Sequence, residues 1–155
     1  MNAMGINRVL NKYLKDNDFD CKVAMATDFA YYWEEELITY SLVVSERMDR
    51  MFLDFAKRKG LKVDCGIFIL SFFHELGHHL TIDDLTEEEE EECEAVKDTL
   101  TDSDADCEKY FSLLDEWLAT SWAIDYINNN IEQIRELAEK VQRAINAFIK
   151  DNNIQ

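Results

Sequence analysis

A chain of 155 residues is the size of one domain and long enough to bury a sizeable core. Its formal net charge of -17 and pI near 4.4 set it against phosphate backbones and anionic lipid, so neither nucleic acid nor a membrane is an expected partner. Cys21, Cys65, Cys93 and Cys107 form no CxxC pair, the first residues lack the apolar core of a signal peptide, and no apolar run approaches the roughly 20 residues that span a bilayer, which together predict a soluble, reduced, cytoplasmic protein.

With no proline and only four glycines, the chain lacks the usual punctuation of linkers, and a single domain spanning 1–155 is expected. Residues 3 to 16 place Met4, Val9, Leu10, Tyr13 and Leu14 near helical spacing, and DNDFD at 16 to 20 ends the segment. Between 21 and 45 the stretches CKVAMA, FAYYW and ELITYSLVV are rich in β-branched and aromatic residues. They predict two or three antiparallel strands with a turn near Thr27 and Asp28. The pattern turns helical again at Ser45, with Met48, Met51, Phe52, Phe55 and Ala56 on one face and KRKG at 57 to 60 as the stop.

Asp64 is a candidate cap for a buried helix running through GIFILSFFHELGHHL to about Leu80. The segment at about 83–105 reads as an acidic insertion, and Glu87 to Glu92 as a solvated or mobile stretch held open by charge repulsion. Residues 106 to 127 form one helix with a wide apolar stripe, interrupted by Asn128 to Asn130. A C-terminal helix at about 131–150 repeats Ile131, Ile134, Ala138, Val141, Ile145 and Phe148, too short a run for a coiled coil, so packing on its own domain is the expected use and a weak homodimer the lesser one. The fold class is α+β: a small antiparallel sheet at about 21–45 packed with four to five helices.

All three histidines lie in FFHELGHHL, residues 72 to 80. On a helix, His74 and His78 converge on one face while Glu75 sits about 100° round the axis, beside an open coordination position. That is the HExxH arrangement, in which two imidazoles hold zinc and the glutamate takes a proton from the activated water. His79 faces elsewhere on the helical wheel.

A catalytic zinc needs a third protein ligand, and three places offer one. Asp84 follows His78 by six residues, but Thr81 stands where a glycine would ease the turn back. The acidic residues 87 to 94 place no single carboxylate well. Glu116 shares a helix face with Ala119, Thr120 and Ala123, whose small side chains let one backbone approach another.

HELGH, followed at a distance by Glu116, Ala119 and Ala123 in an ExxAxxxA pattern, resembles the ImmA/IrrE-type metallopeptidases, small gluzincin-like proteins common in bacteria, phages and other mobile elements. The likeness in order of elements covers about residues 3 to 128. After the ligand glutamate this chain reads LAT and WA where the family usually reads EAN or similar and FA, and larger gluzincins have an aspartate at the position of Thr120. The resemblance implies a minimal zincin-like domain, with His74, His78 and Glu116 as Zn2+ ligands and Glu75 as general base. It also implies an endopeptidase acting on a specific intracellular protein such as a transcriptional repressor. The alternative is a metal-binding, zincin-like regulatory or protein-binding module without useful hydrolysis. Tyr31, Tyr32, Tyr40, Tyr110 and Tyr126 are candidates for an oxyanion donor, and an edge strand within 21–45 is a candidate for pairing with extended substrate.

Overall fold

In a computed structural model that describes residues 3–43 and 45–152, the chain folds as an α+β protein with seven α-helices and one three-stranded sheet among the described residues. Two groups of elements form separate compact units, one from Met1–Val43 with Asn130–Gln155 and one from Val44–Asn129. No helix among the described residues is long and apolar enough to cross a membrane.

The first unit opens with helix α1 (Met4–Asp16), which buries Ile6, Leu10, Tyr13 and Leu14 on one face. Asn17 ends it by donating its side-chain amide to the Tyr13 carbonyl at 2.8 Å, and Asp18 turns the chain through a left-handed φ of 61°. Strands β1 (Lys22–Met25), β2 (Ala30–Tyr32) and β3 (Leu37–Tyr40) follow, in the spatial order β1-β3-β2. Strand β3 is antiparallel to β2, with Tyr31 opposite Ile38, but parallel to β1, with Val23 opposite Ile38. The sheet is therefore mixed, not antiparallel throughout as expected.

The physical reason is that β2 itself carries the chain back, so β3 can enter between its two predecessors. The turn near Thr27 and Asp28 leads from β1 to a strand it does not pair with, and the Asp28 carbonyl accepts the Thr39 hydroxyl at 3.0 Å. Asn11 Oδ1 accepts the Val23 amide at 3.1 Å and Asn7 Oδ1 accepts the Tyr40 hydroxyl at 2.6 Å, which ties α1 to the sheet. Helix α7 (Ile131–Asp151) packs along α1 through Ile134, Leu137, Val141 and Phe148.

The second unit contains helices α2 (Glu46–Arg58), α3 (Ile67–Thr81), α4 (Glu87–Lys97), α5 (Asp104–Ser112) and α6 (Leu114–Asn129). Helix α3 buries Ile69, Leu70, Phe72, Phe73 and Leu76, each side chain contributing about 1.5–3 kcal/mol on full burial. Its cap position is Gly66, at φ 82°, whereas Asp64 lies outside the helix and accepts the Gly66 amide at 3.3 Å. The expected single helix over 106 to 127 is broken at Leu113, whose ψ of 145° is extended. The break lets Phe111 pack against Phe52 and Phe55 while the next turn aims Glu116 at α3. At the other end α6 continues through Asn128 and Asn129. The Asn128 side chain accepts the Lys62 amide at 2.9 Å and donates to the Gly60 carbonyl at 2.8 Å, which pins the loop before α3.

The acidic run is ordered rather than an open insertion: Glu87 to Glu92 begin α4. Thr86 caps the helix reciprocally, its hydroxyl accepting the Glu89 amide at 3.1 Å while Glu89 Oε1 accepts the Thr86 amide at 2.9 Å. Glu87 to Glu90 fill the first turn, where the positive end of the helix dipole favours anions and offsets their mutual repulsion. Thr86→Ala is expected to cost about 1 kcal/mol and to fray α4 first. Hydrogen exchange of the α4 amides with a denaturation midpoint checks this, and unchanged protection would contradict the cap.

Candidate metal centre

Helix α3 supplies His74, Glu75 and His78 within a little more than one turn. The two imidazoles meet edge to face, with ring centroids 4.7 Å apart, and Phe52 from α2 closes the outer side of His74 at 5.2 Å. Ligand atoms of His74, Glu75 and His78 all lie within 4.8 Å of one another, so the group could hold a metal ion.

Glu116 on α6 completes the cluster. Its Oε1 lies 3.0 Å from His74 Nε2 and 3.2 Å from His78 Nε2. Ligands at about 2.0–2.1 Å round a tetrahedral ion stand about 3.3 Å apart, so these separations are close to those of a shared cation. His74 Nδ1 lies 2.9 Å from the hydroxyl of Thr120, one turn along α6 from Glu116. When Nε2 carries the proton, the hydroxyl donates to Nδ1; when Nε2 is given to a cation, Nδ1–H donates to the hydroxyl. Thr120 thus orients the His74 ring.

The helices reach each other because of Gly77. A Cβ on Gly77 would lie 2.4 Å from the Ala119 carbonyl oxygen and 2.9 Å from the Ala119 Cα. Ala119, Thr120 and Ala123 are buried along the same seam.

Burial and pairing drive the two carboxylates in opposite directions. Burial alone would raise the pKa of Glu116, but hydrogen bonds from His74 and His78, with their charge, hold it well below the usual carboxylate range. At Glu75, burial prevails over the nearby imidazoles and raises the pKa. Glu75 is 7% exposed, and its Oε2 has no hydrogen-bond partner among the described residues. Burial would lower the pKa of His78, yet the hydrogen bond and charge of Glu116 raise it. One carboxylate is thereby fitted to remain an anion beside a cation and the other to take a proton.

The structure brings His74, Glu75 and His78 together on α3 and sets Glu116 against the two imidazoles. Asp84 is exposed in a short 3-10 turn, Ile82–Asp84, and neither it, His79 nor the glutamates of α4 join the group. Of the two tyrosines in this unit, Tyr110 is 38% exposed and sets its ring 5.3 Å from the ammonium of Lys97. Tyr126 stacks instead between Phe73 and Trp122. Tyr31, Tyr32 and Tyr40 belong to the strands of the first unit.

Sequence reasoning missed Lys97. Its ammonium donates to Asp115 Oδ2 at 2.6 Å and to Glu116 Oε2 at 2.9 Å, and it lies 5.3 Å from the Tyr110 ring centroid. It is the single basic residue between positions 83 and 105, and that isolation was the signal available. Searches against known protein families, curated proteins and solved structures found no match for the chain.

Gly77→Ala tests the seam that assembles this cluster. Alanine is the better helix former by about 1 kcal/mol, but the overpacking is expected to outweigh that and destabilise the protein by about 1–3 kcal/mol, weakening metal binding as well. Denaturant titration and metal titration check both effects; an equally stable variant would refute the close approach.

Proposed function

We propose that the chain is a zinc-dependent endopeptidase that cleaves a specific intracellular protein in the cytoplasm. The observation that carries this reading is the convergence of two imidazole nitrogens on one oxygen of Glu116, beside a buried Glu75 oxygen that has no hydrogen-bond partner among the described residues. Two imidazoles and a carboxylate are the donor set of a catalytic zinc with one position open. His74, His78 and Glu116 would hold the ion. When bound, zinc supplies a Lewis acid that lowers the pKa of water and polarises a peptide carbonyl.

The chain's own residues supply the rest. Glu75, with its raised pKa, accepts the proton of the attacking water and returns it to the leaving amine. Thr120 holds the His74 ring in the orientation that presents Nε2. Phe52 keeps that side of the site apolar, which strengthens the electrostatics within it. Tyr110, whose ring lies beside the Lys97 ammonium, is the tyrosine we take as the candidate oxyanion donor. Four unbridged cysteines support a reducing compartment, and the net charge of -17 disfavours nucleic acid as a direct partner. The HELGH and Glu116-Ala119-Ala123 pattern shared with the ImmA/IrrE-type peptidases points to transcriptional repressors as a substrate class.

Zinc titration of purified protein should give about one ion per chain. His78→Ala and Glu116→Ala are expected to lose that ion and Asp84→Ala to retain it. The reverse ranking of Glu116 and Asp84 would overturn the ligand set. Glu75→Gln should keep the ion but cut peptide-library cleavage, read by mass spectrometry, by at least about 100-fold. Cleavage at the wild-type rate would exclude Glu75 as the base, whereas metal binding without any cleavage by the wild type would favour the non-hydrolytic module.

A further inference from the structure

A glutamate can bind a metal through one oxygen or through both, and the choice decides whether a position remains for water. Here the two oxygens of Glu116 have different neighbours. Oε1 faces His74 Nε2 and His78 Nε2, while Oε2 accepts the Lys97 ammonium at 2.9 Å. Lys97 is itself fixed, because its ammonium also donates to Asp115 Oδ2 at 2.6 Å and its side chain is only 17% exposed. Asp115 and Glu116 are consecutive, so one ammonium spans two adjacent carboxylates at the start of α6.

From this geometry we infer that Lys97 is a positioning residue that occupies Glu116 Oε2, restricts Glu116 to ligation through Oε1, and so keeps a coordination position open for water or substrate. The inference rests on the metal-centre reading. Two features support it. The ammonium limits rotation of the carboxylate, since Oε1 and Oε2 are engaged by different partners. Its charge is matched by Asp115, so the pair orients Glu116 without placing a net positive charge beside the ion.

The test uses the full chain and cobalt(II) alone as the probe, because its visible absorption distinguishes four-coordinate from five-coordinate sites. Wild-type protein should give the intense bands of a four-coordinate ion. Lys97→Met and Lys97→Gln, both neutral, should release Oε2 and give the severalfold weaker bands of a five-coordinate ion, while Lys97→Arg, which keeps a cationic donor, should restore the wild-type spectrum. Far-ultraviolet circular dichroism of the metal-free variants identifies any that fails to fold, and the other neutral variant then carries the readout. A wild-type spectrum from a folded neutral variant would overturn the role of Lys97 and leave the metal centre standing. Failure of the wild type to bind cobalt or zinc would overturn the metal centre and this inference with it.

Discussion

The second unit depends on one close contact, the meeting of the α3 and α6 backbones where Gly77 faces Ala119. With room for no side-chain atom at Gly77, the helices approach more closely than larger side chains would permit, and a short carboxylate side chain on one can reach imidazoles on the other. Glu116, Ala119, Thr120 and Ala123 recur at spacings of three, one and three along α6, so the seam and the cluster are built from the same face. Glycine is a costly residue in a helix interior by about 1 kcal/mol, and its presence in α3 is explained by what the approach permits.

That approach creates an electrostatic difficulty which the cluster resolves in two ways. Glu116 is 4% exposed, and a buried carboxylate anion is expensive unless it is hydrogen-bonded and faced by cations. It meets three donors, two imidazoles and an ammonium. Glu75 has no such compensation at Oε2 among the described residues, and its burial raises its pKa, which makes it the better proton acceptor of the two. The two glutamates, one on each helix, are thus driven to opposite roles by their surroundings alone.

Local periodicity made most of the cluster legible in the sequence. His74, Glu75 and His78 lie within a little more than one turn of a helix, so their relation follows from helix geometry, and Glu116 could be singled out because small residues at 119, 120 and 123 mark a helix face made for contact. What the sequence did not show was non-local. The content of β-branched and aromatic residues marks strands, but it carries no information on which strand lies between which, and so the parallel pairing of β1 with β3 was hidden. The break at Leu113 has no glycine or proline to announce it. Six successive glutamates look like an open chain when repulsion is considered alone; the reciprocal cap at Thr86 and Glu89 is what favours the helix.

The acidic composition also bears directly on the cluster. Helix α4 has glutamates in its first turn and Lys97 in its last, so each charge opposes the partial charge of the helix end nearest to it. The arrangement that makes an acidic segment helical therefore also fixes where its one cation stands, at the C-terminal end. There Lys97 meets Asp115 and Glu116 in the first turn of α6, where carboxylates are likewise favoured by the helix dipole. Two helix termini of opposite sign are joined through a salt bridge that includes a candidate metal ligand. In a chain whose 33 acidic residues outnumber its 16 lysines and arginines, secondary structure decides which carboxylate is met by a cation, and α4 sets one against Glu116.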